Sequence, residues 1–150
     1  MNNPLLENEA LPAFSEILPE HIEPALDEVL KQAKVAVDNL LSTMMTPTWE
    51  TLVIPMEELD ARIHQVWSPV SHLNSVMNSE ELRAAYNACL PKLSEFGTEL
   101  GQNEGLYEAY KSIANSEQYQ SFGVIRPPLG VSNSCYDCYH PPVFTGKNGH

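Results

Sequence analysis

Residues 21–41 read HIEPALDEVLKQAKVAVDNLL, and apolar side chains recur there every three to four positions. This spacing places them along one face of an α-helix, so it predicts a helix over residues 21–41 with one buried face. Pro24 falls in the first turn, where a missing N–H costs little. The apolar stripe consists of Ile22, Leu26, Val29, Ala33, Ala36 and Leu40.

A second stretch repeats this spacing after the break at residues 46–48. Thr48 can cap the new helix because its side-chain oxygen can accept a free backbone N–H. Pro55 predicts a kink, or a split into a short turn and a longer helix, since proline removes a donor and clashes one turn back. Residues 68–76 are polar and rich in turn formers, so we expect an ordered connector there. The second stripe consists of Trp49, Leu52, Met56, Leu59, Ile63 and Val66.

Two further helices are predicted downstream. Ser79 followed by two glutamates is a good helix start, and Pro91 predicts a kink on the side opposite the apolar stripe. Gly101 ends this third helix, and Asn103 can cap a shorter fourth one. The third stripe is Leu82, Tyr86, Cys89, Leu93, Phe96 and Leu100, and the fourth is Leu106, Tyr110 and Ile113.

Helices with narrow apolar faces must bury those faces against each other, and short connectors make sequential neighbours antiparallel. No stretch shows the alternating pattern of a strand, and no internal repeat is present. The sequence therefore predicts an all-α protein, an antiparallel bundle of three to four helices over residues 1–122.

Residues 123–150 break this pattern. They hold four of the 12 prolines, four of the seven glycines and two of the three cysteines, and they carry no helical periodicity. Such a composition is typical of an unstructured Pro/Gly-rich extension, and a shifted reading frame would produce a similar sequence. We predict a boundary at 122/123, followed by an irregular, non-helical tail without a function of its own.

The charge balance excludes several classes of partner. The formal net charge is −12, from 8 Lys and Arg against 20 Asp and Glu. Because an acidic surface repels phosphate, nucleic acids and anionic membranes are not expected partners. The N-terminus lacks the basic and apolar regions of a signal peptide, and no run approaches the roughly 20 apolar residues of a membrane span. A single cysteine before residue 123 fits a reducing compartment, so we expect a cytoplasmic protein.

No catalytic or cofactor-binding motif is present. The sequence contains no His-Glu-x-x-His zinc motif, no Gly-x-Ser-x-Gly elbow and no phosphate-binding loop. Carboxylate pairs such as Glu57 and Glu58 are adjacent, so they point in different directions around a helix. Cys89 lies on the apolar stripe, where a free cysteine behaves as a small buried hydrophobe. We therefore assign no catalytic residue and no cofactor to this chain.

The tail holds the one chemically suggestive cluster. Cys135, Cys138 and His140 could supply three zinc ligands, and His150 could supply a fourth. A single Cys-x-x-Cys pair without a second pair is a weak metal signal. A small zinc-binding protein that uses these residues is one alternative function.

Four fragments, in this order and at fitting spacings, resemble one known family. They are LPEHIEPAL at 18–26, TWE at 48–50, SPVSHLNSV at 68–76 and NEGLYEAY at 103–110. Across roughly residues 2–120 the chain resembles the N-terminal region of the oligopeptidase-A-like members of the thimet-oligopeptidase family of zinc metallopeptidases.

The resemblance implies a parent enzyme that is cytoplasmic, mostly helical and specific for short peptides. In that family the N-terminal helices help build one lobe and the wall of a deep channel. The zinc is held by a His-Glu-x-x-His motif and a downstream glutamate, all in the far C-terminal part of a much longer chain. The resemblance covers only the first fifth or sixth of such a chain, so no catalytic position carries over.

These observations predict an N-terminal fragment of an oligopeptidase-A-like metallopeptidase that is inactive alone. Helical faces left without their usual neighbours would lead to self-association or to binding of another protein. A stand-alone helical protein-binding module is therefore the other alternative function.

The zinc alternative is tested by titration of the reduced chain with Zn²⁺ under calorimetry. If Cys135, Cys138 and His140 form a site, binding is tight and Cys138→Ser weakens it at least about tenfold, because a thiolate ligand is lost. The matched control is Cys89→Ser, which leaves the cluster intact. Equal binding by the wild type and Cys138→Ser contradicts a site in the tail.

Overall fold

The computed structural model describes residues 3–7, 11–77 and 79–121, and within these ranges the protein is all-α without a strand. The predicted fold class is confirmed, whereas the predicted tail over residues 123–150 lies outside the described residues. The helices are α1 (Pro19–Thr43), α2 (Ile54–Met77), α3 (Glu80–Gly101), α4 (Glu104–Ala114) and α5 (Glu117–Ser121). A 3₁₀ turn spans Phe14–Glu16, and a π-helical turn spans Trp49–Val53. No helix in the described ranges is long and apolar enough to cross a membrane.

Side-chain caps set three of the helix starts, as the sequence predicts. The hydroxyl of Thr48 accepts the backbone N–H of Thr51 at 3.1 Å, at the start of the π-helical turn. Ser79 caps α3 by accepting from Leu82, also at 3.1 Å. Asn103 caps α4 through its side-chain oxygen, 3.0 Å from the backbone nitrogen of residue 106. Each cap satisfies a backbone donor that has no partner inside the helix.

The prediction of a connector over residues 68–76 is wrong, because this stretch forms the C-terminal part of α2. Val70 and Leu73 continue the buried face of the helix, and their burial outweighs the weak helix propensity of the polar residues around them. The hydroxyl of Ser75 donates to the carbonyl of Ser71, one turn back, at 3.0 Å. That bond keeps the hydroxyl partnered without breaking the helix.

Pro55 and Pro91 differ in how they affect the helices that contain them. The split predicted at Pro55 is observed, because the π-helical turn ends just before it and Pro55 occupies the first turn of α2. Pro91 is exposed, as predicted, on the side of α3 opposite the core. The helix α3 nevertheless continues through Pro91 without interruption as far as Gly101.

The three long helices share one core. Helix α1 packs against α2 and α3, and α2 packs against α3. The ring of Trp67 in α2 stacks on that of Tyr86 in α3, with centroids 4.9 Å apart. The link between α2 and α3 is only two residues long, so these two helices are antiparallel.

Ion pairs fix the direction of α1 relative to α3. Lys92 lies 2.8 Å from Glu23 and 2.7 Å from Asp27, and Lys34 lies 2.7 Å from Glu99. Later residues of α1 meet later residues of α3, so these helices run parallel and α2 runs antiparallel to both. All these side chains are partly exposed, so the pairs set register more than they add stability.

The N-terminal segment is attached to the bundle by hydrogen bonds. The side-chain amide of Asn3 donates to the carbonyl of His21 at 2.8 Å, and Arg62 of α2 donates to the carbonyl of Leu6 at 2.8 Å. Leu5 is buried between these two anchors. Leu5 is therefore part of the core, and residues 3–6 are held against the bundle.

Asn103→Ala should lower the free energy of unfolding by about 1 kcal/mol, because the N–H at residue 106 loses its acceptor. Urea denaturation followed by circular dichroism measures this. The matched control is Ser75→Ala, which removes an exposed hydroxyl in the last turn of α2 and should leave stability within about 0.5 kcal/mol of the wild type. Equal midpoints for Asn103→Ala and the wild type would contradict the capping role.

Candidate functional site

The histidines of the described residues do not form a common site. Nδ1 of His21 accepts the backbone N–H of Leu18 at 3.1 Å and so helps start α1. His64 is exposed on α2, and the ring of His72 lies 5.4 Å from that of Phe14. Over residues 3–7, 11–77 and 79–121, no three His, Cys, Asp or Glu side chains are close enough to hold a metal ion. The zinc candidates Cys135, Cys138 and His140 lie outside the described residues and stay a prediction.

The Cys89 thiol is fully buried on the core side of α3. Burial raises the pKa of this thiol to about 11, and the nearby Lys92 ammonium only partly opposes that effect. The thiolate is the reactive form of cysteine, so Cys89 is a poor nucleophile at neutral pH. The structure agrees with the sequence-based interpretation of Cys89 as a small core residue.

Asp60 is a buried carboxyl group that the sequence analysis missed. It lies on the core side of α2 between Met56 and Ile63, and it lines a cavity of about 10 Å³ beside Phe96. Such a cavity has room for about one water molecule. A carboxylate at helical spacing within the apolar stripe was the available signal. The cavity is far too small for a peptide or a cofactor, which need several hundred Å³.

Tyr110 carries a second buried polar group. Its hydroxyl is buried and makes no hydrogen bond within the described part of the chain. Burial raises the pKa of Tyr110 to about 12, and the negative charge of Glu57 adds to this effect. A phenol with this pKa stays protonated at neutral pH, so it is a poor general base. As for Cys89, burial in the core sets the pKa of Tyr110, and this makes its hydroxyl unsuited to catalysis.

The described helices thus form a packed acidic bundle whose reactive groups are buried singly. Comparisons with known proteins identify the family of this chain. Residues 26–126 match the family described as "Neurolysin/Thimet oligopeptidase, N-terminal domain". The chain belongs to this family, and the matched region includes most of α1 and all of α2 to α5.

Individual relatives agree with this assignment. The chain is 43% identical to oligopeptidase A of Haemophilus influenzae and 47% identical to oligopeptidase A of Escherichia coli K12, each over 91% of this chain and 20% of the relative. It is also 33% identical to a protein of Arabidopsis thaliana named probable cytosolic oligopeptidase A, over 85% of this chain and 18% of that protein. The chain therefore spans about a fifth of the length of these relatives.

The comparisons also bear on where the similarity stops. The family match extends to residue 126, and an alignment over 91% of the chain must include residues beyond 122. Similarity therefore runs past the predicted boundary at 122/123. The division into a helical region and an irregular tail stays a prediction.

The buried state of Cys89 can be tested with Ellman's reagent in a variant that carries Cys135→Ser and Cys138→Ser. Burial raises the pKa of the Cys89 thiol from the ordinary value of 9.0 to about 11. Below pH 9 its thiolate fraction is therefore about 100-fold lower than that of an unperturbed thiol. Labelling at pH 8 should be slower by at least that factor than in 8 M urea. Its rate should keep rising as the pH approaches 11. Labelling at the same rate in both conditions would place Cys89 at the surface.

Proposed function

We propose that these 150 residues form the N-terminal helical region of an oligopeptidase-A-like zinc metallopeptidase and have no peptidase activity alone. The observation that carries the proposal is the family match over residues 26–126 in a sequence that contains no His-Glu-x-x-His motif. The zinc and the water-activating glutamate would be supplied by other parts of the parent enzyme.

The role of the region in the parent is architectural. Helices α1, α2 and α3 bury their apolar faces against each other, and the Lys92 and Lys34 ion pairs hold the register of α1 against α3. A bundle packed in this way is stiff, because close-packed interiors resist deformation. Stiffness suits the wall of a channel that must hold a short peptide in a fixed position beside a metal. The substrates of the parent would therefore be short peptides.

The proposal also includes the cellular compartment of the protein and the nature of residues 123–150. A cytoplasmic location is supported by the single cysteine before residue 123 and by the name of the probable cytosolic relative. Residues 123–150 would be an irregular extension that does not continue the bundle, in line with their proline and glycine content.

Peptidase assays test the architectural role. The purified 150-residue chain should show no chelator-sensitive hydrolysis of a fluorogenic oligopeptide. A chimera that places residues 1–121 before the remaining four-fifths of Escherichia coli oligopeptidase A should hydrolyse it, and a chelator should stop the reaction. The matched control is the same Escherichia coli protein without its aligned fifth, which should lose at least about 100-fold in kcat/KM because its channel is incomplete.

Two results would refute the proposal. Chelator-sensitive hydrolysis by the 150-residue chain itself, with contaminating proteases excluded, would place catalytic groups within this sequence. Full activity of the control without its aligned fifth would show that this region is dispensable for the reaction.

A further inference from the structure

Helix α1 starts without a cap from the side chain of its own N-cap residue. That residue is Leu18, which has no side-chain oxygen to accept a backbone N–H. The imidazole of His21 makes the reciprocal contact of a capping box, because its Nδ1 atom accepts the N–H of Leu18 at 3.1 Å. Glutamate or glutamine usually makes this contact from the third helical position, which His21 occupies here. An imidazole therefore replaces the usual acceptors at the start of α1.

This contact needs a neutral imidazole. Nδ1 can accept a hydrogen bond only when it carries no proton, so the ring must hold its proton on Nε2. A protonated ring donates from both nitrogens, and it places a positive charge at the positive end of the helix dipole. Histidine side chains change charge between about pH 5 and pH 8. The contact is thus made on the alkaline side of the titration of His21 and lost on the acidic side.

His21 also holds the N-terminal segment, residues 3–7. Its carbonyl accepts the side-chain amide of Asn3 at 2.8 Å. The side-chain oxygen of Asn3 in turn accepts the backbone N–H of Leu5 at 3.1 Å, and Leu5 is buried. The cap of α1 and the attachment of the segment therefore meet at one residue. Fraying of the first turn of α1 would move the carbonyl to which Asn3 is bound.

Charged and titratable groups of both signs lie around the start of α1. Lys92 of α3 is paired with Glu23, and α2 contributes Arg62 and His72. The ring of His72 lies 5.4 Å from that of Phe14, so a protonated His72 would be attracted to this ring and would hold the chain before α1 in place. Titration of His72 thus opposes any release caused by the cap. The carboxylates of this region are Glu7, Glu16, Glu20, Glu23 and Asp27.

We propose that His21 is a pH-sensitive cap: protonation breaks the Nδ1 contact and loosens the start of α1 and, through Asn3, the N-terminal segment. Acidification then uncovers the part of the core where Leu5 is buried between its anchors on α1 and α2. The proposal does not depend on the proposed function, since it needs only contacts within this bundle.

Amide hydrogen exchange followed by NMR tests the proposal on the 150-residue chain. Protection factors of the Leu18 and Leu5 N–H groups are compared at about pH 7.5 and about pH 5.5, a range in which histidine titrates and carboxylates stay ionised. Both should fall about fivefold at the lower pH, because a cap of this kind changes local opening by about that factor. The N–H of Leu82, capped by Ser79, is the internal control and should keep its protection factor within about twofold.

His21→Gln separates the cap from the titration. Glutamine at the third helical position can accept the N–H of Leu18 at either pH, so both protection factors should stay unchanged between the two conditions. The matched control is His64→Gln on α2, which should retain the wild-type fall. His72→Gln should show a fall at least as large as that of the wild type, because the opposing contact with Phe14 is removed.

The ¹⁵N shifts of the His21 ring give a second measurement that does not depend on a variant. At about pH 7.5 the neutral ring should carry its proton on Nε2, and a ring protonated on Nδ1 would overturn the proposal. An unchanged protection factor of Leu18 in the acidified wild type, or an equal fall in the wild type and His21→Gln, would also overturn it. So would a fall at Leu18 that does not reach Leu5, or a fall that disappears only in His72→Gln.

Discussion

The mutual burial of three apolar helix faces is the constraint on which the rest of the structure depends. Helix α2 runs antiparallel to α1 and α3, which are parallel to each other and in direct contact, so each long helix can cover part of the apolar faces of the other two. Ile22, Leu26 and Val66 are almost completely buried as a result. Shorter elements then attach to this core. The N-terminal segment is held by Arg62, and α4 lies against the end of α1 and the π-helical turn.

This packing also explains why the bundle has little chemistry of its own. Cys89 and Tyr110 have clearly raised pKa values, and burial is the main cause for both. Burial raises the pKa of a thiol or a phenol because it disfavours the charged form, which makes either group less reactive at neutral pH. Asp60 faces a cavity the size of one water molecule. Under the proposed function, such a region would contribute shape and rigidity to the parent enzyme, and the reacting groups would come from other parts of it.

The parts of the fold that follow from short-range patterns were predictable. The capping residues Thr48, Ser79 and Asn103 each act on a backbone group three positions away, so their role can be deduced from a few neighbouring residues. The stretch over residues 68–76 was not predictable in the same way. Its serines, asparagine and proline favour a turn locally, yet Val70 and Leu73 are buried in the helix. Asp60 was missed for the related reason that a carboxylate in an apolar stripe is unexpected.

The sequence by itself determined the helical class, the caps, the buried stripes and the family resemblance, because each depends on residues close along the chain or on ordered fragments. Only the tertiary structure decided that residues 68–76 extend α2, that α1 runs parallel to α3, and that Asp60 lines a cavity. These features depend on contacts between residues far apart in sequence, such as Lys92 with Glu23 and Asp27, and the energy of such contacts is absent from any local pattern.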